Sequence, residues 1–266
     1  MNILITGANG SLGEKLKLDL ESLSFKVLCA SSNPGVGQIY FDLKNGFESN
    51  LLENIDLILH LAIHPKLVVT DIEKNFVHLA AAKDITLIYI GSTSSYLVKP
   101  NQYGKYKKKV EDLVIENKGI VLTCGLLYGS NFKGQLSKIK KFLRILPFNI
   151  QVSGSKLVYT TPIQAIIDFL LRPTDNQIYR GKRLLMNQFE AIPFNLLLLK
   201  LAGNRIFKIT FSSKTIDLII KVNPFKTRYF SSDRYVALFS DFKSELILNS
   251  VDLRKEIGEK NDFNDF

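Results

Sequence analysis

A doubly wound α/β architecture, with a parallel sheet covered by helices on both faces and a small C-terminal α+β lobe, is predicted by three observations. Near-continuous apolar runs recur along the first half of the chain, segments with helical apolar spacing separate them, and a glycine-rich turn joins the first run to the first helical segment. Strands without polar alternation belong to sheets buried on both faces, and helices between them supply the crossovers that parallel pairing needs.

The elements follow in order. "NILIT" is a strand, and "SLGEKLKLDLESL" places Leu12, Leu16, Leu20 and Leu23 at helical spacing. "FKVLCA" and "QIYFDL" are the next strands, "FESNLLENI" reads as a short helix, and "DLILHLA" is an apolar strand. The helix "TDIEKNFVHLAAAKD", the strand "ITLIYIGS", the helix "QYGKYKKKVEDLVIEN" and the strand "GIVLTCGLLYG" complete six strands. Beyond residue 130 the rhythm loosens, with helices expected at 133–146, 162–172, 191–203 and 214–222 and short strands between them.

Composition narrows the classes. A chain of 266 residues with 46% apolar residues can bury a large core and is not disordered. No apolar run reaches the length of a membrane-spanning helix, and no secretory signal opens the chain. Cys29 and Cys124 both sit in apolar strand-like runs, which favours reduced buried thiols and a cytoplasmic location. The histidines, His60, His64 and His78, lack metal-ligand spacing, so no metal is expected and His60 reads as a packed strand residue.

Thr6 to Gly13 spells T-G-x-x-G-x-x-G between a strand and a helix, the context in which such glycines cradle a pyrophosphate. Gly7 permits the turn, Gly10 lets backbone approach the phosphates, and Gly13 lets the helix pack on the sheet. The helix start offers free N–H groups, which makes Asn9, Ser11 and Leu12 further candidate contacts in a Rossmann-type nucleotide-binding fold.

With these motifs in place, the chain resembles the extended or atypical branch of the short-chain dehydrogenase/reductase superfamily, the NAD(P)-dependent epimerase/dehydratase-like proteins, over most of residues 1–170. The resemblance implies a dinucleotide-binding domain at 1–150 and a smaller, partly interleaved substrate-binding lobe at 151–266. "DLILHLA" resembles the strand whose Leu61 and Ala62 flank the adenosine side of the cofactor, and Asp42 with Leu43 resembles the pair that contacts adenine. Asn75 stands where relatives carry an Asn in the following helix. "IYIGSTSSY" resembles the segment that carries the catalytic Ser/Thr, placing that role on Ser92 with Thr93 and Ser94 in reserve.

Tyr103-x-x-x-Lys107 opens the helix after that segment, and residues four apart share a helical face, so the ammonium can favour the phenolate of Tyr103. Tyr103 is then the acid–base, Ser92 holds the carbonyl oxygen, and the resemblance implies that Lys107 also bonds the nicotinamide ribose. A second Y-x-x-x-K, Tyr40 to Lys44, spans a strand and its loop and is read as accidental. The expected activity is hydride transfer to or from a carbonyl or hydroxyl carbon of a nucleotide-linked sugar or similar anion. The alternatives are a 4-epimerase or dehydratase that retains NAD, and a regulator that binds NAD(P) without turnover.

At the end of the second strand Ser31 and Ser32 stand where an acid would favour NAD, so NADP is favoured over NAD. The net charge is +10, and between Lys99 and Arg144 eleven Lys/Arg face three Asp/Glu. Such a field attracts anions. No nucleic-acid signature accompanies it, and Lys133, Lys138, Lys140, Lys141 and Arg144, with Arg228 and Arg234, are candidate phosphate binders. Thr123 and Leu126 replace a frequent family Arg and Asn. A homodimer through the helix at 102–118 would be usual for the family.

Overall fold

The computed structural model of the chain describes residues 1–153, 156–172, 178–186, 191–203 and 207–212, with the backbone of Val251 and Asp252. The first half runs β1 (Asn2–Thr6), α1 (Ser11–Ser22), β2 (Lys26–Ser31), β3 (Ile39–Asp42), β4 (Gly46–Phe47), β5 (Leu57–His60), α2 (Asp71–Ala82), β6 (Thr86–Ser92), α3 (Gln102–Glu116) and β7 (Ile120–Cys124). A one-turn 3₁₀ helix, Thr93–Tyr96, lies between β6 and α3. Next come β8 (Leu126–Tyr128), α4 (Gln135–Ile145), β9 (Asn149–Ser153), β10 (Leu157–Val158), β11 (Thr160–Pro162) and α5 (Ile163–Leu170). The remaining described elements are β12 (Arg183–Leu185), β13 (Ile192–Pro193), α6 (Phe194–Ala202), β14 (Lys208–Ser212) and β15 (Val251–Asp252).

Among the described residues the main sheet has nine strands in the order β15-β12-β7-β6-β5-β1-β2-β3-β4, all pairs parallel except β3 with β4. Side chains alternate across it. Ile3, Ile5, Leu59, Ile88 and Ile90 pack with Leu16 and Leu20 of α1 and Ile166 of α5. Leu4, Ile58, Tyr89 and Val121 meet Phe76 and Ala80 of α2 and Tyr106 and Val110 of α3. Both faces are thereby closed, at about 1.5–3 kcal/mol for each large apolar side chain buried. A third cluster joins α4, α6 and β9, with Leu136, Ile139, Val152 and Leu197 at its centre.

"FESNLLENI" does not form the expected helix. Phe47 pairs with Phe41 in a two-stranded hairpin and stacks at 5.7 Å on its ring, and the following residues turn to bury Leu51 and Leu52. With Phe47 taken into the hairpin, the rest of the nine-residue segment is too short to repay helix nucleation. The chain beyond residue 150 serves both regions: β12 hydrogen-bonds β7 in the main sheet, whereas β11 pairs with β8. The helix expected at 214–222, Arg228 and Arg234 lie outside the described residues.

Strand order reverses between β1 and β5, so the chain leaves β1 toward β2 on one side while β5, β6 and β7 extend on the other. At such a switch point the carboxyl ends of strands open a crevice. Register aligns Thr6 with His60 and Ser92 with Cys124, which brings the turns after β1, β5, β6 and β7 to one edge.

Candidate active site

The glycine turn occupies the centre of that edge. Gly7 has φ +69°, and a Cβ there would stand 2.8 Å from the backbone nitrogen of Ala62, so only glycine serves both the conformation and the approach. Gly13 packs so that a Cβ would meet Ala8 at 2.7 Å, which seats α1 on the sheet. A Cβ on Gly10 would find only the Gly7 carbonyl oxygen, at 3.3 Å, within 4 Å, and otherwise space. Gly10 is also the N-cap of α1 and provides no side-chain cap, so the first N–H groups of the helix are left for an anion.

Two cavities meet over this turn and share Gly7, Gly10 and Ile63. The smaller, of about 340 Å³, is lined by Asn9, Ser31, Ser32, Asp42, Leu43 and Ala62. The larger, of about 400 Å³, takes in Ser11, Leu12, Gly13 and Leu61, and beyond them Ser92, Tyr103 and Lys107. The expected cofactor and catalytic residues thus line one continuous cleft. Asn75 is exposed on the outer side of α2, away from it.

The end of the smaller cavity at Asn9 and Ser31 is polar and organised. Asn9 donates to Ser31 Oγ at 3.0 Å and to the Asn33 carbonyl at 2.8 Å, and Gln38 donates to Asn9 Oδ1 at 2.9 Å. Ser31 is buried and its hydroxyl turns inward to Gln38, whereas Ser32 is exposed at the mouth. Asp42, the carboxylate of this cavity, accepts from the Lys44 N–H and from Asn45 Nδ2 in its own turn.

Ser92 ends β6, and its Oγ accepts the Ser94 N–H at 3.2 Å, leaving the hydroxyl hydrogen to be donated elsewhere. Asn101 caps α3 by accepting from Gly104 at 2.7 Å, which sets Tyr103 in the first turn and Lys107 one turn later. Gly104 packs against the Ser94 carbonyl group, whose carbon would lie 2.9 Å from a Cβ. Lys107 is buried; its ammonium donates to the Ile90 carbonyl at 2.8 Å and stands 4.3 Å from the Tyr89 ring centre and 5.9 Å from that of Tyr103. Burial pulls the Lys107 ammonium down to about 8, against the upward pull of Glu111 and then Glu73. Burial pushes the thiol of Cys124, on the same cleft wall, up to about 12, which leaves it inert.

Glu111 follows Lys107 by one turn and is fully buried. It accepts the Ser92 N–H at 3.1 Å, the Ser95 hydroxyl at 2.9 Å and the Tyr96 hydroxyl at 2.9 Å, and faces Arg183 of β12 at 3.5 Å. Gly91 makes room for it, since a Cβ there would stand 2.7 Å from its Oε1. Burial raises its carboxyl above the ordinary value, against the lowering by these donors. Sequence reasoning missed this residue, although Tyr103, Lys107 and Glu111 repeat at four-residue intervals and so share a face.

Glu73 was missed too. It occupies the buried face of α2 with Phe76, Val77 and Ala80, at spacings of three, four and seven, and that pattern was the available signal. None of Lys133, which precedes α4, or Lys138, Lys140, Lys141 and Arg144 within it lines the cleft, and α4 spends Leu136, Ile139 and Leu143 on the third cluster. Thr123 is buried in β7, and Leu126 lines the cleft with Leu127, Phe132, Val158 and Tyr159. Among the described residues no group of side chains could hold a metal, and no helix is long and apolar enough to cross a membrane.

No family model and no curated protein sequence matches the chain. Solved structures do. A dTDP-4-dehydrorhamnose reductase from Bacillus anthracis in complex with NADP superposes with a TM-score of 0.65 at 15% identity, over 94% of each chain. MoeE5 in complex with UDP-glucuronic acid and NAD gives 0.63 at 20% identity, over 80% of this chain and 86% of that one. A UDP-N-acetylglucosamine 4-epimerase from Bacillus cereus gives 0.61 at 15% identity, over 89% and 97%. The chain therefore shares the Rossmann-type fold of these nucleotide-sugar reductases and epimerases.

Proposed function

We propose that the chain is an NAD(P)-dependent oxidoreductase of the extended short-chain dehydrogenase/reductase type, acting on a carbonyl or hydroxyl carbon of an anionic substrate such as a nucleotide-linked sugar. One observation carries the reading: Ser92, Tyr103 and Lys107 line the same cleft as Gly7, Gly10 and Gly13. The neighbours in complex with NAD or NADP support it.

The residues fit a dinucleotide, since the uncapped start of α1 and the bare Gly10 offer N–H groups and close approach to a pyrophosphate. The nicotinamide, when bound, supplies or takes the hydride. Tyr103 gives a proton to, or takes one from, the substrate oxygen, and the nearby Lys107 ammonium favours its phenolate form. Ser92 donates its remaining hydrogen to the same oxygen. Leu126, Leu127, Phe132 and Val158 form the apolar opposite wall, which holds the substrate and keeps water away from the reacting atoms. The end of the smaller cavity at Ser31 and Ser32, which presents hydroxyls where an acid would favour NAD, supports NADP over NAD.

The test needs no substrate at first. The chain has no tryptophan, so the emission of added NADPH or NADH reports binding directly. Tyr103→Phe should retain that binding and lose turnover of a keto-sugar nucleotide by roughly 10²–10⁴-fold, the usual worth of a general acid. Absence of binding by either dinucleotide overturns the reading, and mass spectrometry showing co-purified NAD would redirect it to an epimerase cycle.

A further inference from the structure

A buried run of polar groups lies beneath the loop that divides the two cavities, and its hydrogens have a forced direction. Thr6 Oγ1 accepts from the N–H groups of Leu61 at 3.3 Å and Ala62 at 3.4 Å, the first shared with the Thr6 carbonyl at 3.2 Å. With its lone pairs so used, the hydroxyl gives its own hydrogen to His60 Nδ1 at 2.7 Å. His60 therefore carries its proton on Nε2 and directs it to Glu73 Oε1 at 3.4 Å. A second arm reaches the same oxygen: the Tyr106 hydroxyl accepts the His64 N–H at 3.3 Å and donates to Glu73 Oε1 at 2.8 Å.

Thr6, His60 and Glu73 are 0% exposed and Tyr106 is 1% exposed. Three N–H groups of one loop, those of Leu61, Ala62 and His64, are thus tied through two arms to a single carboxylate oxygen. Between them sits Ile63, which lines both cavities, and against them packs Gly7, whose absent Cβ leaves room for Ala62. A displaced loop would push on the phosphate turn and on both walls of the cleft at once.

We propose that Glu73 is a positioning residue for the dinucleotide: by accepting from both His60 and Tyr106 it fixes the Leu61–His64 loop that lines both cavities of the cleft. The proposal rests on the reading of the cleft as an NAD(P) site. Glu73 touches no ligand itself.

Tyr106→Phe keeps the ring and removes one arm; Glu73→Leu removes both; Glu73→Gln keeps an oxygen acceptor in place. The dissociation constant of NADPH is measured by its emission with the full chain, and amide hydrogen exchange at Ala62 and His64 is followed without nucleotide. Tyr106→Phe should weaken NADPH about tenfold, the equivalent of one lost buried hydrogen bond, and speed exchange at His64 while the amides of β1 and β6 keep their protection. Glu73→Leu should weaken NADPH further, and Glu73→Gln should recover most of the loss. A general destabilisation would speed exchange across the sheet and leave Glu73→Gln no better than Glu73→Leu, which overturns the proposal. If Glu73→Leu fails to fold, Tyr106→Phe decides. Wild-type affinity in Tyr106→Phe overturns the proposal alone, whereas a wild-type chain that binds neither NADPH nor NADH overturns the reading of the cleft and the proposal with it.

Discussion

Glu111 takes the backbone N–H of Ser92 at 3.1 Å from a position one helical turn beyond Lys107. The helix that carries Tyr103 and Lys107 therefore also anchors the strand end that carries Ser92. Glu111→Ala leaves three donors without their acceptor and Arg183 with only its outer partner Asp112, at 3.2 Å, and breaking a buried ion pair from one side costs about 3–5 kcal/mol. Urea denaturation should show that loss, and Glu111→Gln, which keeps an oxygen for the donors, should lose much less.

The same carboxyl has a pH signature. Burial raises it in the folded chain, so between the ordinary carboxylate value and the raised one the folded state holds a proton that the unfolded chain has released. The stability contributed by the protonated form is full below that window and is lost as pH rises through it. Glu111→Gln does not titrate, and its denaturation midpoint should lack this slope.

Lys107 provides the alkaline counterpart. Its ammonium is pulled down to about 8, so at pH 9 only about a tenth of it remains charged. The loss of positive charge beside Tyr103 removes the support for the phenolate. Turnover under subsaturating substrate should fall as pH rises through about 8, and Lys107→Arg, charged throughout, should lack that limb whatever its absolute rate. For stability the sign is opposite: above about 8 the unfolded chain binds more protons at this site, so folding gains as pH rises.

Cofactor choice can be redirected at one position. Ser32 is exposed and lines the smaller cavity, where the proposed reading places the ribose. Ser32→Asp would repel a 2′-phosphate and accept from a free 2′-hydroxyl, so it should shift the NADPH-to-NADH affinity ratio by on the order of tenfold or more toward NADH. Paired emission titrations read the ratio directly.

Much of this was legible in the sequence because the fold depends on coarse signals. Apolar strands such as "DLILHLA" and the glycine spacing after β1 survive without knowledge of tertiary partners, and the face shared by Tyr103 and Lys107 follows from helical geometry. Three points escaped. Phe47 entered a hairpin because Phe41 and Phe76 offered it an aromatic contact that no local pattern announces. Asn75 suggested itself by resemblance, but the apolar stripe of α2 passes through Glu73 instead. The bond from the Ser31 hydroxyl to Gln38, seven residues on in the loop, was not legible either, while Ser31 still lines the smaller cavity. Each depends on a partner from another element.

The seating of Gly104 on the Ser94 carbonyl ties the start of α3 to the turn after β6. With no side chain between them, the tyrosine's helix and the serine's turn touch main chain to main chain and travel as one body, further clamped by Glu111. Under the proposed function, the opening that admits substrate is therefore expected in the shell of Phe132, Val158 and Tyr159, while Ser92, Tyr103 and Lys107 keep their mutual spacing.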